Sequence, residues 1–184
     1  MNVLESFSLK GKVALVTGGA GLYGRQIVEA LAEAGAETYI ASRNLDSLQE
    51  VAKEEIQRGH NVTAIKLDLS EDVSIENLHH DIIAKSGKCD ILINNAVSRE
   101  FGSAGWKNTL DDFDKSLRIN ASALFKITQM FAEDMKKNNS GSIINIGSMM
   151  GTVGVENGNY EGTDFTPATS PLYFYEKGGM HNFT

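Results

Sequence analysis

Cysteine is nearly absent from this chain of 184 residues, which contains only Cys89, and proline occurs just twice. A single cysteine cannot form a disulfide within the chain, and it excludes a zinc site built from several cysteines. The four histidines are isolated or adjacent to each other, so we expect no metal centre. The chain also lacks an N-terminal signal pattern and any apolar run of the roughly 18 residues that a membrane span needs. These absences predict a cytoplasmic protein with no membrane partner.

Positive charge is also in short supply. Seventeen Lys and Arg residues against 24 Asp and Glu residues give a net charge of −7, and no run of Lys and Arg forms a local basic patch. Binding to nucleic acid depends mainly on attraction to phosphate groups, so a negative chain is a poor candidate for it. We therefore expect no nucleic-acid partner. The mass of 20.0 kDa fits a single domain, 1–184.

Short apolar runs alternate with amphipathic stretches along the chain. Buried strands separated by helices are typical of βαβ units, in which helices cover both faces of a parallel sheet. The pattern therefore predicts an α/β protein with a Rossmann-like, doubly wound parallel sheet. The predicted strands are residues 12–17, 36–41, 62–67, 90–93 and 142–146, and the predicted helices are residues 22–34, 45–58, 73–85 and 110–136.

A glycine-rich turn joins the first predicted strand to the first long helix. It contains Gly19-x-Gly21-x-x-Gly24. Glycines at these positions allow a tight turn and the close approach of a pyrophosphate to the helix N-terminus, so the turn predicts nucleotide binding. Two alternatives stay open: a glycine-rich turn without a ligand, and a methyltransferase, which places a similar turn after its first strand.

The end of the second predicted strand lacks the acidic residue that would bind the 2′-hydroxyl of an NAD ribose. Ser42 and Arg43 stand there instead. A cation and a small polar group suit a 2′-phosphate, so this segment favours NADP(H) over NAD(H). The alternative is that Arg43 is an ordinary surface residue.

Six motifs in a fixed order resemble those of the short-chain dehydrogenase/reductase family, and the resemblance covers nearly the whole chain. Each motif is modest by itself, but each lies at the expected point of the βα alternation. They are the turn Thr17–Gly24, Asp68-Leu69 after the third strand, Asn94-Asn95-Ala96 after the fourth, Asn120 in the long helix, Ser148 after the fifth strand, and Tyr173-x-x-x-Lys177.

The resemblance implies four catalytic residues. Tyr173 would be the general acid/base, and Lys177, one helical turn further on, would favour the phenolate and bind the nicotinamide ribose. Ser148 would hold the substrate oxygen, and Asn120 would fix a water in a proton relay.

The resemblance also implies the residues that bind the cofactor. Asp68 would hydrogen-bond near the adenine, while Asn94 and Ala96 would line the cleft. The full implied set is Thr17, Gly18, Gly19, Gly21, Leu22, Tyr23, Gly24, Ser42, Arg43, Asp68, Leu69, Asn95, Ala96, Tyr173 and Lys177.

Two other tyrosines compete for the catalytic role. Tyr160 lies closer to Ser148, but the residue four positions on is Asp164, and Tyr175 has Gly179 at that place. Only Tyr173 has a lysine there, so residues 151–172 are interpreted as a loop inserted near the active site. This loop resembles insertions in family members linked to bacterial surface-sugar synthesis.

The resulting hypothesis is an NADP(H)-dependent oxidoreductase that interconverts a ketone and a secondary alcohol on a small sugar- or polyol-like molecule. A 3-oxoacyl-carrier reductase is the enzymatic alternative, and a non-catalytic nucleotide-binding fragment or regulatory module is the alternative of another class. Only seven residues follow Lys177, whereas the family has further strands there. We therefore expect a C-terminally truncated family member, poorly active alone, and a homo-oligomer when full length.

Overall fold

The computed structural model describes residues 2–102, 104–164 and 170–184. Five strands form one sheet in the order β3-β2-β1-β4-β5, and the pairings of β1 with β2 and β4, and of β2 with β3, are parallel. The predicted parallel α/β fold is therefore confirmed. The strands are β1 (Val13–Thr17), β2 (Glu37–Ser42), β3 (Val62–Lys66), β4 (Ile91–Asn94) and β5 (Ser142–Asn145).

Seven α-helices and several shorter helical turns accompany the strands in the described part of the chain. The helices are α1 (Val3–Ser6), α2 (Leu22–Glu33), α3 (Leu45–Gln57), α4 (Asp72–Ser86), α5 (Leu110–Leu117), α6 (Ala123–Lys137) and α7 (Pro171–Phe183). A π turn, Arg118–Ser122, lies between α5 and α6, and the 3₁₀ turns are Gly105–Lys107, Met149–Gly151 and Asn157–Tyr160.

The chain consists of two compact units. The first, Met1–Ala96 and Ala123–Ile144, contains α1–α4, α6 and nearly all of the sheet. The second, Val97–Ser122 and Asn145–Thr184, contains α5, the π turn and α7. The single domain expected over 1–184 stays a prediction.

The core of the first unit explains why β1 is apolar along its whole length. All five residues of β1 are buried, because helices cover both faces of the sheet. Leu15 is paired with Tyr39 on one side and Leu92 on the other. These side chains belong to a buried cluster that also includes residues of α4 and α6, such as Ile75 and Phe131.

The order of the strands places the ends of β1 and β4 next to each other. β1 is followed in sequence by the strands on one side of it, and β4 begins the other side. In open α/β sheets, the crevice at such a reversal, outside the carboxyl ends of the strands, is the usual place for ligands. The glycine turn after β1 and Asn95-Ala96 after β4 both lie there.

Residues 110–136 are helical as predicted, but they form three consecutive helical elements and not one regular α-helix. The structure has α5 and α6 with the π turn Arg118–Ser122 between them, and this turn contains Asn120. A π turn widens the helix by one residue, and such turns are frequent at functional sites. The periodicity of apolar residues cannot show it, because the residues on either side keep a helical repeat.

The predicted loop over residues 151–172 contains the 3₁₀ turn Asn157–Tyr160, and its last two residues belong to α7. Proline is favoured in the first turn of a helix, and α7 begins at Pro171 for that reason. The other proline, Pro167, lies outside the described residues. Within residues 2–102, 104–164 and 170–184, no helix has the length and apolar character to cross a membrane.

Candidate active site

The glycine turn after β1 has a backbone that other residues would not fit. Gly18 has a φ of 69°, in the left-handed region. A Cβ on Gly24 would lie 2.1 Å from the carbonyl oxygen of Gly18, and a Cβ on Gly19 would lie 2.7 Å from Cβ of Ile40. Both distances are far below van der Waals contact, so the turn can close only on glycine.

The N-terminus of α2, which follows this turn, has room and donors for an anion. Gly21 is its N-cap and provides no side-chain hydrogen bond to the first N–H groups of the helix. Leu22 and Tyr23 are 86% and 71% exposed, respectively. Free backbone donors and the helix dipole favour negative charge at such a place. The turn therefore fits the pyrophosphate of a dinucleotide.

Three of the implied cofactor residues hold the glycine turn against the end of β4. The Thr17 hydroxyl oxygen accepts hydrogen bonds from the backbone N–H groups of Asn95 and Ala96, each at 3.1 Å. The side-chain amide of Asn95 donates to the carbonyl oxygens of Thr17 and Gly18 at 3.0 and 3.1 Å. These bonds fix the shape of the turn.

Asn94, which was expected to line the cleft, is buried, and its amide donates to the Thr128 hydroxyl on α6 at 2.9 Å. This contact joins the end of β4 to a helix. Leu69 is likewise packed against the core of the first unit. The structure thus shows a hydrogen bond for Asn94 and a packing contact for Leu69, and the part of both residues in cofactor binding stays a prediction.

Asp68 lies close enough to Arg43 for the positive charge of the guanidinium to act on its carboxylate. The Asp68 carboxylate accepts hydrogen bonds from the Ser70 hydroxyl and backbone N–H at 2.7 and 2.9 Å. These bonds, with smaller contributions from the positive charges of Arg43 and Lys66, lower the pKa of Asp68. Ser42, at the end of β2, donates to the Asn44 carbonyl at 3.4 Å. The structure therefore brings Arg43 near the acidic residue that follows β3.

In the second unit, α7 carries Tyr173 and Lys177 one turn apart. Lys177 is only 5% exposed, and its Nζ donates to the carbonyl oxygen of Ile146 at 2.5 Å. The same Nζ lies 5.9 Å from the centroid of the Tyr173 ring. The guanidinium of Arg99 lies 5.4 Å from that centroid. Two cations therefore flank the ring of Tyr173.

Burial is the main reason that the pKa of Lys177 is lowered. The positive charge of Arg99 lowers this pKa further, whereas the negative charge of Glu176 raises it. Burial disfavours the charged form of any lysine, because the surrounding protein solvates an ammonium less well than water does. The protonation of Lys177 thus depends on the charges of its two neighbours.

Ser148 lies in a turn that packs directly on the backbone of α7. Its hydroxyl oxygen accepts a hydrogen bond from the Met150 N–H at 3.2 Å, which leaves the hydroxyl hydrogen available to donate. A Cβ on Gly151 would lie 2.6 Å from the carbonyl carbon and oxygen of Lys177. The absence of a side chain at Gly151 thus allows the turn that contains Ser148 to approach Lys177.

Both polar atoms of the Asn120 side chain, the oxygen and the nitrogen, form hydrogen bonds. Its Oδ1 accepts from the N–H of Ser98 at 2.8 Å, and its Nδ2 donates to the Ser98 carbonyl at 2.9 Å. Nδ2 also donates to Oε2 of Glu176 at 2.9 Å, and the Ser116 hydroxyl donates to Oε1 at 2.5 Å. Asn120, Ser116 and Glu176 therefore form one buried polar network.

Sequence reasoning missed Arg99, Ser116 and Glu176, which surround the expected catalytic residues of the second unit. We call this group the catalytic half-site: Arg99, Ser116, Asn120, Ser148, Tyr173, Glu176 and Lys177. Glu176 is 7% exposed, and burial raises the pKa of its carboxyl although the bonds from Ser116 and Asn120 oppose this. Charged residues are rarely buried without partners, and those partners come from other elements. The only feature of the sequence that could have pointed to Glu176 was its position directly before Lys177.

The two competing tyrosines have other surroundings. Tyr175 is exposed, and its ring lies 5.5 Å from that of Phe113. Tyr160 ends a 3₁₀ turn, and its carbonyl accepts a hydrogen bond from Thr163. Of the three tyrosines, Tyr173 is the one whose ring is recorded within cation–π range of a lysine in the described part of the chain.

A family model described as "short chain dehydrogenase" matches residues 12–162. This segment includes the glycine turn, Asn120 and Ser148 and ends before Tyr173. The chain is 32% identical to the 7alpha-hydroxysteroid dehydrogenase of Escherichia coli (strain K12) over 145 residues. This alignment covers 79% of this chain and 56% of that protein. It is 36% identical over 152 residues to the 2-dehydro-3-deoxy-D-gluconate 5-dehydrogenase of Bacillus subtilis (strain 168), with coverage of 79% and 56%.

A third relative is the 3-oxoacyl-[acyl-carrier-protein] reductase of Salmonella typhimurium, 32% identical over 148 residues, with coverage of 80% of this chain and 59% of that protein. The chain therefore spans 56–59% of the length of these curated relatives.

Solved structures resemble the whole chain. A gluconate 5-dehydrogenase from Burkholderia cenocepacia, in complex with NADP and tartrate, matches with a TM-score of 0.82 and 27% identity over 100% of this chain and 67% of that one. A 7 alpha-hydroxysteroid dehydrogenase complexed with NADH and 7-oxo glycochenodeoxycholic acid matches with a TM-score of 0.85 and 26% identity over 100% and 66%.

Proposed function

The chain belongs to the short chain dehydrogenase family, and from that premise we propose that the protein is an NADP(H)-dependent oxidoreductase interconverting a ketone and a secondary alcohol. The proposal rests mainly on the two cations found beside the ring of Tyr173. A buried lysine one turn away and Arg99 both lie within cation–π range of its ring. The relatives named above are dehydrogenases and reductases, which supports the reaction class.

Tyr173 is the proposed general acid/base. A phenol has an ordinary pKa of about 10, so it holds its proton at neutral pH and gives it up readily only beside positive charge. In the proposed reaction, the Tyr173 hydroxyl donates a proton to a carbonyl oxygen in one direction and accepts it in the other, with Lys177 and Arg99 beside its ring. The nicotinamide, when bound, supplies or accepts the hydride.

Ser148 and Asn120 have supporting roles in this proposal. The hydrogen of the Ser148 hydroxyl would be donated to the substrate oxygen, as a neutral donor that remains in place as charge develops there. Asn120 would contribute to a proton relay, and its side chain forms hydrogen bonds with the backbone of Ser98.

NADP(H) is the proposed cofactor because no acidic residue stands at the end of β2, where Ser42 and Arg43 are found. A guanidinium suits a 2′-phosphate, whereas an acidic side chain would repel it. Of the two solved structures named above, one contains NADP and the other contains NADH. The preference therefore depends on the residues of this chain, and chiefly on Arg43.

The proposed substrate is a polar sugar- or polyol-like molecule, and Arg99 favours one with a carboxylate. No described acidic side chain is recorded in an ion pair with Arg99, which lies over the Tyr173 ring. Relatives that act on, or are named for, gluconate-type molecules support the same class. A 3-oxoacyl-carrier reductase is the enzymatic alternative, supported by the Salmonella relative.

The decisive experiment compares Tyr173→Phe with the unchanged protein and with Tyr175→Phe as a control. Oxidation of NADPH would be followed with keto-sugars, keto-sugar acids and 3-oxoacyl thioesters, while NADPH binding is measured by fluorescence. We expect Tyr173→Phe to lose about 10²- to 10⁴-fold in turnover, the usual contribution of a general acid/base, with NADPH binding kept. Tyr175→Phe should retain activity, because its ring is exposed.

An unchanged rate in Tyr173→Phe would remove this residue from the mechanism. NADPH binding without turnover of any of these substrates would favour the other class of function, a non-catalytic nucleotide-binding module. The cytoplasmic location and the homo-oligomer stay predictions.

A further inference from the structure

Glu176 is a buried acid directly beside the proposed catalytic lysine, and the proposed reaction as described above gives it no role. Its two carboxylate oxygens each accept one hydrogen bond, Oε1 from the Ser116 hydroxyl at 2.5 Å and Oε2 from Asn120 Nδ2 at 2.9 Å. Ser116 lies on α5 and Asn120 in the π turn, so the carboxylate joins α7 to both. Burial raises the pKa of this carboxyl, whereas the bonds from Ser116 and Asn120 and the positive charge of Lys177 favour its charged form.

The orientation of Asn120 depends partly on that carboxylate. The Nδ2 group has two hydrogens, and its recorded acceptors are the Ser98 carbonyl, Glu176 and, more distantly, the Ser116 hydroxyl at 3.3 Å. The Glu176 bond is the charge-assisted one, and such bonds are about twice as strong as bonds between neutral groups. Loss of the charge would therefore weaken one of the main restraints on Asn120.

The balance of charge around Lys177 also depends on Glu176. The groups recorded as facing the ammonium are the Ile146 carbonyl and the Met180 sulfur as hydrogen-bond partners, the Tyr173 ring, and the charges of Glu176 and Arg99. Glu176 is the one recorded negative charge among them. Burial and Arg99 both disfavour the ammonium, and Glu176 opposes them.

We propose that Glu176 is a positioning residue of the catalytic half-site, whose carboxylate orients the Asn120 side chain and keeps Lys177 charged beside Tyr173. This inference rests on the proposed function for its meaning, although its physical content can be measured without a substrate. Glu176 acts through Asn120 and Lys177 and does not itself react.

The test is a pH titration of the protein labelled with ¹³C at the lysine Cε, followed by NMR, with the Lys177 signal assigned by its absence in Lys177→Arg. Glu176→Gln is nearly isosteric, and its side chain can still accept from Asn120 and donate to Ser116. We expect the Lys177 titration to move to lower pH in this variant, because the charge that favours the ammonium is gone. Glu50→Gln, the same change at an exposed position of α3, should leave the Lys177 titration where it was.

Glu176→Asp gives a second measurement if the glutamine variant fails to fold. This variant keeps the negative charge, but its side chain is shorter by one methylene and the charge lies further from its partners. The midpoint pH of its Lys177 titration should therefore lie between those of the unchanged protein and Glu176→Gln. A Lys177 titration that does not move in a folded Glu176 variant would overturn the proposal. Where turnover is measurable, the alkaline limb of the pH profile should move to lower pH in parallel, whereas a purely structural role would lower the rate at every pH alike.

These outcomes separate the two proposals. A shifted Lys177 titration without any NADPH-dependent turnover would support Glu176 and contradict the proposed function. Turnover that depends on Tyr173, together with an unchanged Lys177 titration in the Glu176 variants, would support the proposed function and contradict the role of Glu176.

Discussion

The nucleotide half-site and the catalytic half-site of this protein are built from different material. The first is mostly backbone: glycines without Cβ atoms, free N–H groups at the start of α2, and a turn held by Thr17 and Asn95. The second consists of ionisable side chains that are buried or paired, above all Lys177 and Glu176. Binding at a site made of backbone should be lost when a side-chain atom is added, but it should not depend on pH. The activity of a site made of buried charges should depend less on small changes of shape and more on pH and on each neighbouring charge.

Gly24→Ala is the strongest test of the backbone half of this comparison. The added Cβ would lie 2.1 Å from the Gly18 carbonyl oxygen, so the turn must open. Overpacking of this kind costs roughly 2–3 kcal/mol, and we expect NADPH affinity to fall by about 100-fold. Isothermal titration calorimetry measures this loss.

Gly179→Ala is the matched control, because Gly179 is also a helical glycine and its added Cβ would meet nothing within 4 Å. This variant should bind NADPH normally and gain roughly 0.5–1 kcal/mol of stability from the helix propensity of alanine. If Gly24→Ala bound NADPH as well as Gly179→Ala does, the turn would not be a backbone-built cofactor site.

Gly151→Ala applies the same change to the catalytic half-site. Its Cβ would lie 2.6 Å from the backbone of Lys177, so the turn that contains Ser148 must move away from α7. Small displacements of catalytic groups are costly, and we expect turnover to fall by roughly 30-fold. The binding of 2′,5′-ADP, a probe of the nucleotide half-site alone, should stay unchanged.

A loss of 2′,5′-ADP binding in Gly151→Ala would break the comparison, since it would mean that the two half-sites do not respond separately. Normal turnover in this variant would show that the contact of Gly151 with Lys177 does not position Ser148.

Arg43→Asp has the smallest expected effect and concerns a side chain of the nucleotide half-site. Replacing a cation by an anion at the end of β2 should weaken NADPH and favour NADH, with a change of roughly 10-fold in the ratio of their Kd values. Lys66→Gln is a suitable control, because it removes a neighbouring cation that also faces Asp68. An unchanged NADPH/NADH ratio in Arg43→Asp would contradict the assignment of the cofactor.

Much of the first unit was predictable because its signals are local. The ends of the five strands differ from the predicted ones by no more than a residue at either end, since apolar runs between glycines and helices mark buried strands well. The glycine turn was equally clear, because its residues are consecutive and a clash of Cβ atoms excludes the alternatives. Asn94 and Leu69, which were expected near the cofactor, form a hydrogen bond to Thr128 and a packing contact with the core, respectively, and their part in cofactor binding stays a prediction.

The second unit was predicted only in part. The Tyr173-x-x-x-Lys177 spacing identified the face of α7, but spacing says nothing about the residues that surround it. Glu176, Ser116 and Arg99 are separated in sequence by up to 77 positions, and their contacts exist only once α5, α7 and the chain after β4 have packed. The π turn at Asn120 was hidden for another reason, since the residues on either side of it keep a helical repeat.

The amino-acid sequence alone was enough to predict the succession of strands and helices along the chain, the glycine turn and the spacing of Tyr173 and Lys177. Each of these depends on neighbouring residues and on steric rules that hold in any fold. The protonation of Lys177, the orientation of Asn120 and the burial of Glu176 required the folded chain. Electrostatic interactions and desolvation depend on distances in space, and residues remote in sequence set those distances.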